Sequence, residues 1–239
     1  MTDSLVLDEV KAKSVEVKSK KIKSVEIARG RGGLVYHPPL LTTDETLNKL
    51  YHNDNYIMRI GTFKEGLMYE SVLEKIDPEQ KYFLRYLSCI ELKEKFPDHP
   101  ERRIDGKKQK FYGSHVLYGG ENMANYNSKK LKLSTIRNMY RTLKEGLHLL
   151  HTAGLTHNDI HTENIVIDAE YNARFIDFEY GRYYDERDAK WDVRELTHAM
   201  MEFVPYHTPN RFKFYHSLCK ELERLDISFE SEEVSNDDE

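Results

Sequence analysis

Across residues 134–152 the apolar side chains return every three to four positions, as Ile136, Met139, Tyr140, Leu143, Leu147 and Leu150. That period predicts a helix with one buried face, ended by Gly154 just beyond it. Further helices are predicted over 191–203 and 210–225. A short one over 64–76 places Leu67, Val72, Leu73 and Ile76 ahead of Asp77-Pro78. Upstream the pattern changes to alternation, which suits strands. Residues 11–17 and 21–27 are near copies of each other, and the second runs into Ala28-Arg29-Gly30-Arg31-Gly32-Gly33-Leu34-Val35, read as strand, glycine turn and strand. Strands are also predicted over 56–60, 81–90 and 111–118, with a paired 165–167 and 174–176 around a turn at 168–172. Pro38-Pro39 opens an irregular stretch with one short helix over 37–54, and 96–106 reads as a charged loop. The first half is mostly strand and the second mostly helix. The expectation is an α+β chain of two lobes joined near residues 118–125.

Composition narrows this picture. A chain of 239 residues and 28.3 kDa suffices for one large domain or two lobes sharing a cleft. With 39% hydrophobic and 32% charged residues it reads as globular, and no apolar run approaches the roughly 20 residues that span a bilayer. The first residues lack the basic and apolar regions of a secretory signal, so a cytoplasmic, intracellular setting without membrane insertion is expected. Cys89 and Cys219 are read as buried free thiols. The net charge of −5 is concentrated in residues 229–239, which hold six acids and no base; the remainder carries about +1. Nothing in that balance calls for nucleic acid.

The chemistry concentrates in residues 157–181, H-N-D-I-H-T-E-N-I-V-I-D-A-E-Y-N-A-R-F-I-D-F-E-Y-G. Asp159, Asn164 and Asp177 stand five and thirteen residues apart, with an apolar run after Asn164 and another pair, Phe175-Ile176, before Asp177. This is the layout of a phosphoryl-transfer site. One carboxylate orients a hydroxyl nucleophile, while an amide and a second carboxylate hold magnesium against nucleotide phosphates. A zinc site built from His151, His157 and His161 is disfavoured, because no cysteine lies near them.

These residues resemble the catalytic core of the protein-kinase-like superfamily. His157-Asn158-Asp159 with Asn164 is similar to the H-R-D-x-x-x-x-N loop, and Asp177-Phe178-Glu179 to D-F-G. The resemblance implies a two-lobed protein-kinase-like fold, with a β-rich N-lobe over 24–117 and a reduced helical C-lobe over 118–226. Residues 1–23 then form an extension and 227–239 an acidic disordered tail. It implies that Asp159 is the catalytic base, that Asn164 and Asp177 bind Mg2+, that His157 braces the loop and that Asp192 caps it. His161 stands where many relatives have a lysine near the transferring phosphate. ATP is expected under a glycine-rich loop of Ala28, Gly30, Gly32, Gly33 and Val35, with Leu117, Tyr118 and Gly119 as the hinge along the adenine. Arg59 takes the place of the ATP-anchoring lysine, with Glu70, or failing that Glu74, as its partner; Lys64 is a rival anchor.

Several positions depart from the family pattern. Arg59 is planar and bulkier than lysine, Asn158 replaces an arginine, and Glu179 replaces a glycine. Only fourteen residues separate Asp177 from Asp192, with no A-P-E-like sequence between them. The same core is also similar to choline kinases and aminoglycoside phosphotransferases. Three functions therefore stay open: a protein kinase acting on Ser or Thr, a kinase of small alcohols, or a catalytically weak binding module. The acceptor is a protein or a small alcohol, and a monomer is expected. The small C-lobe resembles minimal kinase-like proteins of large DNA viruses, which would put the protein in a host cell or virion.

Overall fold

The computed structural model describes residues 23–30, 33–61, 67–92, 103–104, 107–108, 110–206, 208–209 and 211–223. The near-repeat at 11–17, Gly32 of the glycine run, Lys64, most of the charged loop and the acidic tail lie outside the described residues. In chain order the first part carries β1 (Val25–Gly30), β2 (Gly33–His37), α1 (Glu45–Tyr51), β3 (Tyr56–Gly61), α2 (Leu67–Ile76) and β4 (Tyr86–Leu92). A two-residue pair, β5 (Arg103–Ile104) and β6 (Lys107–Lys108), precedes β7 (Phe111–Leu117). The second part carries β8 (Glu121–Asn122), α3 (Leu133–Thr152), β9 (Leu155–Thr156), β10 (Ile165–Ile167), β11 (Ala173–Phe175), β12 (Arg182–Tyr183), α4 (Glu186–Phe203) and α5 (Arg211–Glu223). The fold is α+β, a sheet-rich region followed by a mainly helical one, consistent with a two-lobed kinase-like architecture.

The main sheet is antiparallel, in the order β1-β2-β3-β7-β4. Alternation decides which side chains it hides. On β3, Met58 and Ile60 are fully buried with Leu34 and Phe111, so the intervening Arg59 is directed to the opposite face. The helical part is held by a larger core in which α3 contributes Ile136, Met139, Tyr140, Leu143, Leu147 and Leu150, the stripe expected from its period. Between the two parts lies a third apolar cluster of Leu84, Val116 and Val166, with Ile57, Leu117 and Ile176 against it.

The crossing between the parts is tight enough to demand glycine. A Cβ on Gly119 would overlap side-chain atoms of Leu84 and Val166, and one on Gly120, whose φ is +96°, would overlap the carbonyl of Ile167. The chain then adds β8 to β10, with Asn122 opposite Val166 and Glu121 opposite Ile167.

Two elements differ from the sequence expectation, and both differences have a local cause. The strand anticipated over 81–90 begins only at Tyr86. Buried Asp77 accepts hydrogen bonds from the backbone N–H groups of Lys81 (2.8 Å), Tyr82 (2.7 Å) and Phe83 (2.9 Å), which bends that stretch into a turn. The turn joins β11 instead of the main sheet, through Phe175 N to Tyr82 O and Leu84 N to Phe175 O. The helix anticipated from 191 begins at Glu186, because Asp185 caps it by accepting from Arg187 N and Asp188 N. No helix among the described residues is long and apolar enough to cross a membrane.

Removing the Asp77 carboxylate leaves three buried or half-buried N–H groups without an acceptor. Asp77→Ala should lower unfolding free energy by about 2–4 kcal/mol in urea titration, whereas exposed Glu79→Ala should cost less than about 0.5 kcal/mol. Equal effects of the two substitutions would contradict this role of Asp77.

Candidate active site

The loop from His157 to Asn164 is fastened at its start by a buried carboxylate. Asp192, on α4, is fully buried. Its Oδ2 accepts from His157 N at 2.7 Å and its Oδ1 from Asn158 N at 2.7 Å. His151, at the end of α3, adds its Nε2 at 3.0 Å to Oδ2. Asn158 has a left-handed backbone (φ +62°) and donates its side-chain amide to Thr156 Oγ1 at 2.7 Å. Complete burial pushes the His157 pKa down, against the pull of Asp192 and the Ile176 carbonyl. Its Nε2 donates to that carbonyl at 3.1 Å. The ring is thereby a neutral strut between the loop and the residue before Asp177, packed on Phe175 and Phe178.

The other end of the loop is clamped by residues 122–124. Met123 N donates to Ile165 O, Ala124 N to Thr162 O, and the Asn122 amide to Glu163 O. Within this frame the Asn164 side-chain nitrogen donates to both the backbone oxygen (2.9 Å) and Oδ2 (2.8 Å) of Asp159. The His161 ring joins them. Its Nδ1 accepts from Glu163 N at 3.2 Å, and its Nε2 lies 3.1 Å from the Asn164 side-chain nitrogen and 3.6 Å from Asp159 Oδ2. Asp159, His161 and Asn164 therefore meet at one place, and the amide of Asn164 keeps its carbonyl oxygen as a hard donor.

Asp177 arrives beside them through the β10–β11 hairpin. Ile165 faces Phe175, and one step further Ile176 N donates to Asn164 O at 3.0 Å. Asp177 itself has φ +66°, a conformation that costs a non-glycine residue of order 1 kcal/mol. Phe178 is buried edge-on against Phe83. The turn anchored by Asp77 thus forms the wall behind Asp177.

Arg59 reaches this centre from β3. Its Nη1 lies 3.2 Å from Asp177 Oδ1 and donates to the Tyr86 hydroxyl at 2.7 Å. The structure pairs Arg59 with Asp177 where the sequence reading paired it with Glu70. Glu70, on α2, has a buried Oε2 with no hydrogen-bond partner among the described residues. Burial pushes its pKa up to about 7, opposed by the Tyr86 amide and Arg85. Glu74, the alternative partner, lies 3.5 Å from Arg85. The geometry separates the two carboxylates: Asp177 presents its Oδ1 to Arg59, whereas the opposing influences on Glu70 come from the Tyr86 amide and Arg85.

The remaining expected residues lie on the main sheet and at its exit. Ala28 pairs with Val35 and Gly30 with Gly33 across the β1–β2 hairpin. A Cβ on Gly33 would overlap the Ile60 carbonyl, so this glycine is required by contact between β2 and β3. Leu117 closes β7, and Tyr118 stacks on His37 with ring centroids 4.4 Å apart. Among the described residues no group of three or more His, Cys, Asp and Glu side chains is arranged to hold a metal ion. The oxygen pair expected to do so, Asn164 and Asp177, is one amide and one carboxylate. Sequence reading missed Asp77, Tyr69 and Tyr86. Tyr69 ties α2 to the chain after Phe178 by donating to Gly181 O at 2.7 Å. Only the tyrosine enrichment of the chain hinted at such a role.

Residues 107–209, under half of the chain, match the family model described as the protein kinase domain. The match runs from the end of the sheet through α4. It includes Asp159, Asn164, Asp177 and Asp192 and leaves out the glycine hairpin, Arg59 and Glu70. It supports membership of the protein-kinase-like superfamily, and with it a phosphotransferase activity in general. No curated protein matches the chain.

Glu70 gives the site a pH signature. Its folded-state pKa of about 7 lies above the ordinary 4.5. The unfolded carboxyl therefore ionises first as pH rises between these values, and stability falls across that window. Relative to wild type, Glu70→Gln should gain about 1–3 kcal/mol at pH 8 over pH 5, allowing for partial solvent screening. Parallel urea-derived pH profiles for the two proteins would sink this reading.

Proposed function

Starting from a chain whose protein-kinase-like membership is supported over residues 107–209, we propose that it transfers the γ-phosphate of ATP to Ser or Thr hydroxyls of proteins, with Mg2+. The observation that carries this reading is the junction of three groups. Asn164 holds Asp159 through two hydrogen bonds from its side chain, while its own carbonyl holds Ile176, and so Asp177, beside it.

The donor chemistry fits the implied cation. An amide oxygen and a carboxylate are the hard oxygen ligands that magnesium prefers, and Asp177 already balances a positive charge in Arg59. Magnesium-bound ATP supplies the electrophilic phosphoryl group. The chain's part is positioning and charge. Asp159 takes the hydroxyl proton and aims the nucleophile, and Asn164 fixes the rotamer of Asp159. Arg59 binds phosphate oxygens once it parts from Asp177. Leu84, Val116 and Val166 form an apolar surface for the base beside the hinge.

A second reading, a kinase of small alcohols, is favoured by one feature. Between Asp177 and the start of α4 at Glu186 the chain forms only the two-residue β12, paired with β9. That leaves little platform for an extended peptide. A screen of protein and small-alcohol acceptors with radiolabelled ATP and magnesium separates the two. Asp159→Asn should lower kcat by about a thousandfold and leave the KM for ATP within about threefold. Undiminished turnover in that variant would exclude Asp159 as the base, and labelling of small alcohols alone would replace the protein-kinase reading.

A further inference from the structure

Next to the catalytic loop opens a cleft of about 250 Å³ that the nucleotide reading does not use, lined by Asn158, Tyr180, Arg182, Arg187, Asp188 and Trp191. It is built where the loop, the segment after Phe178 and the first turns of α4 meet. One wall is Asn158, the residue directly before Asp159. The side chains are of two kinds. Tyr180 and Trp191 are aromatic and more than half or about half exposed, at 56% and 50%. Arg182 and Arg187 are cationic, 4.0 and 3.6 Å from the two carboxylate oxygens of Asp188. Two guanidinium groups against one carboxylate leave an excess of positive charge. Arg194 lies 5.6 Å over the Trp191 ring. A forked donor beside a flat apolar wall is suited to carboxylates and phosphates carried on a peptide.

The complementary pattern is written in this chain. Residues 229–239, F-E-S-E-E-V-S-N-D-D-E, carry six acids, no base, and the serines Ser231 and Ser235. We infer that the cleft binds an acidic side chain next to the phosphoacceptor serine, making acid-flanked serine peptides, the chain's own residues 229–239 among them, the substrates. This rests on the phosphotransfer reading above. In the step itself the serine Oγ bonds to the γ-phosphorus of the nucleoside triphosphate. The bond from that phosphorus to its bridging oxygen breaks, the electron pair leaves with the diphosphate, and the hydroxyl proton passes to Asp159. Arg182 and Arg187 touch the flanking acid and set specificity, so their loss falls on KM rather than kcat.

The test uses the full chain with magnesium and ATP and two peptides: residues 227–239, and the same sequence with its acids changed to the matching amides. The acidic peptide should have a KM lower by about tenfold or more. The double variant Arg182→Ala with Arg187→Ala should erase that difference while kcat stays within about twofold and the melting temperature is unchanged. Reversal to Glu at both positions should favour a peptide whose acids are replaced by lysine. Equal KM values for the two peptides in the unaltered protein, or a preference that survives the double variant, overturns the inference. Transfer to other acceptors but to neither peptide overturns it while leaving the catalytic reading intact. Transfer to no acceptor at all overturns both.

Discussion

A carboxylate held entirely out of water must be surrounded by donors, and Asp192 meets that demand with the N–H groups of His157 and Asn158 and the ring of His151. Those partners are the first two residues of the loop and the end of α3, so one buried carboxylate locks loop, helix α3 and helix α4 together. Everything after it inherits this origin. The position of Asp159 follows from Asn158, that of Asn164 from its bonds to Asp159, and that of Asp177 from the Asn164 carbonyl and the His157 strut. Loss of one partner would leave a buried carboxylate oxygen short of a donor, which makes the arrangement costly to disturb.

The sheet side of the site is organised by opposite charge instead of burial. Arg59 comes from a strand whose neighbouring residues are core, so its direction is set by alternation alone. It finds Asp177, the carboxylate that the strained turn presents, and the hydroxyl of Tyr86. Glu70, deprived of solvent and of a strong counter-charge, is driven toward neutrality. Under the proposed function, Arg59 and a cation would compete for the same carboxylate, and a charged ligand would redistribute these pairs.

Much of this was legible from the chain. The stripe of α3 announced itself by period, because a long amphipathic helix repeats its signal over five turns. The loop residues Asp159, Asn164 and Asp177 were legible from spacing, since a short hairpin between two of them leaves few ways to arrange the three. The start of α4 was obscured because its first turn, Glu186 to Lys190, is polar and reads as loop until the cap at Asp185 is recognised. The true partner of Arg59 and the role of Asp77 were beyond reach. Each depends on contacts between segments distant in sequence, or on a carboxylate gathering backbone groups, which carry no side-chain pattern. Gly119 was read as part of a hinge, but the close approach of Leu84 and Val166 that demands it, and of Ile167 that demands Gly120, appears only in the folded chain.

The central claim is that Asn164 and Asp177 share a divalent cation with a nucleoside triphosphate. Titration calorimetry of ATP with and without magnesium, on the unaltered protein and on Asp177→Asn, addresses it directly. The account predicts that magnesium tightens ATP binding by about tenfold or more in the unaltered protein. In Asp177→Asn that gain should vanish, while magnesium-free ATP binds no more weakly, because Arg59 is released. ATP affinity indifferent to magnesium in the unaltered protein, or an equal magnesium gain in both, would contradict the claim.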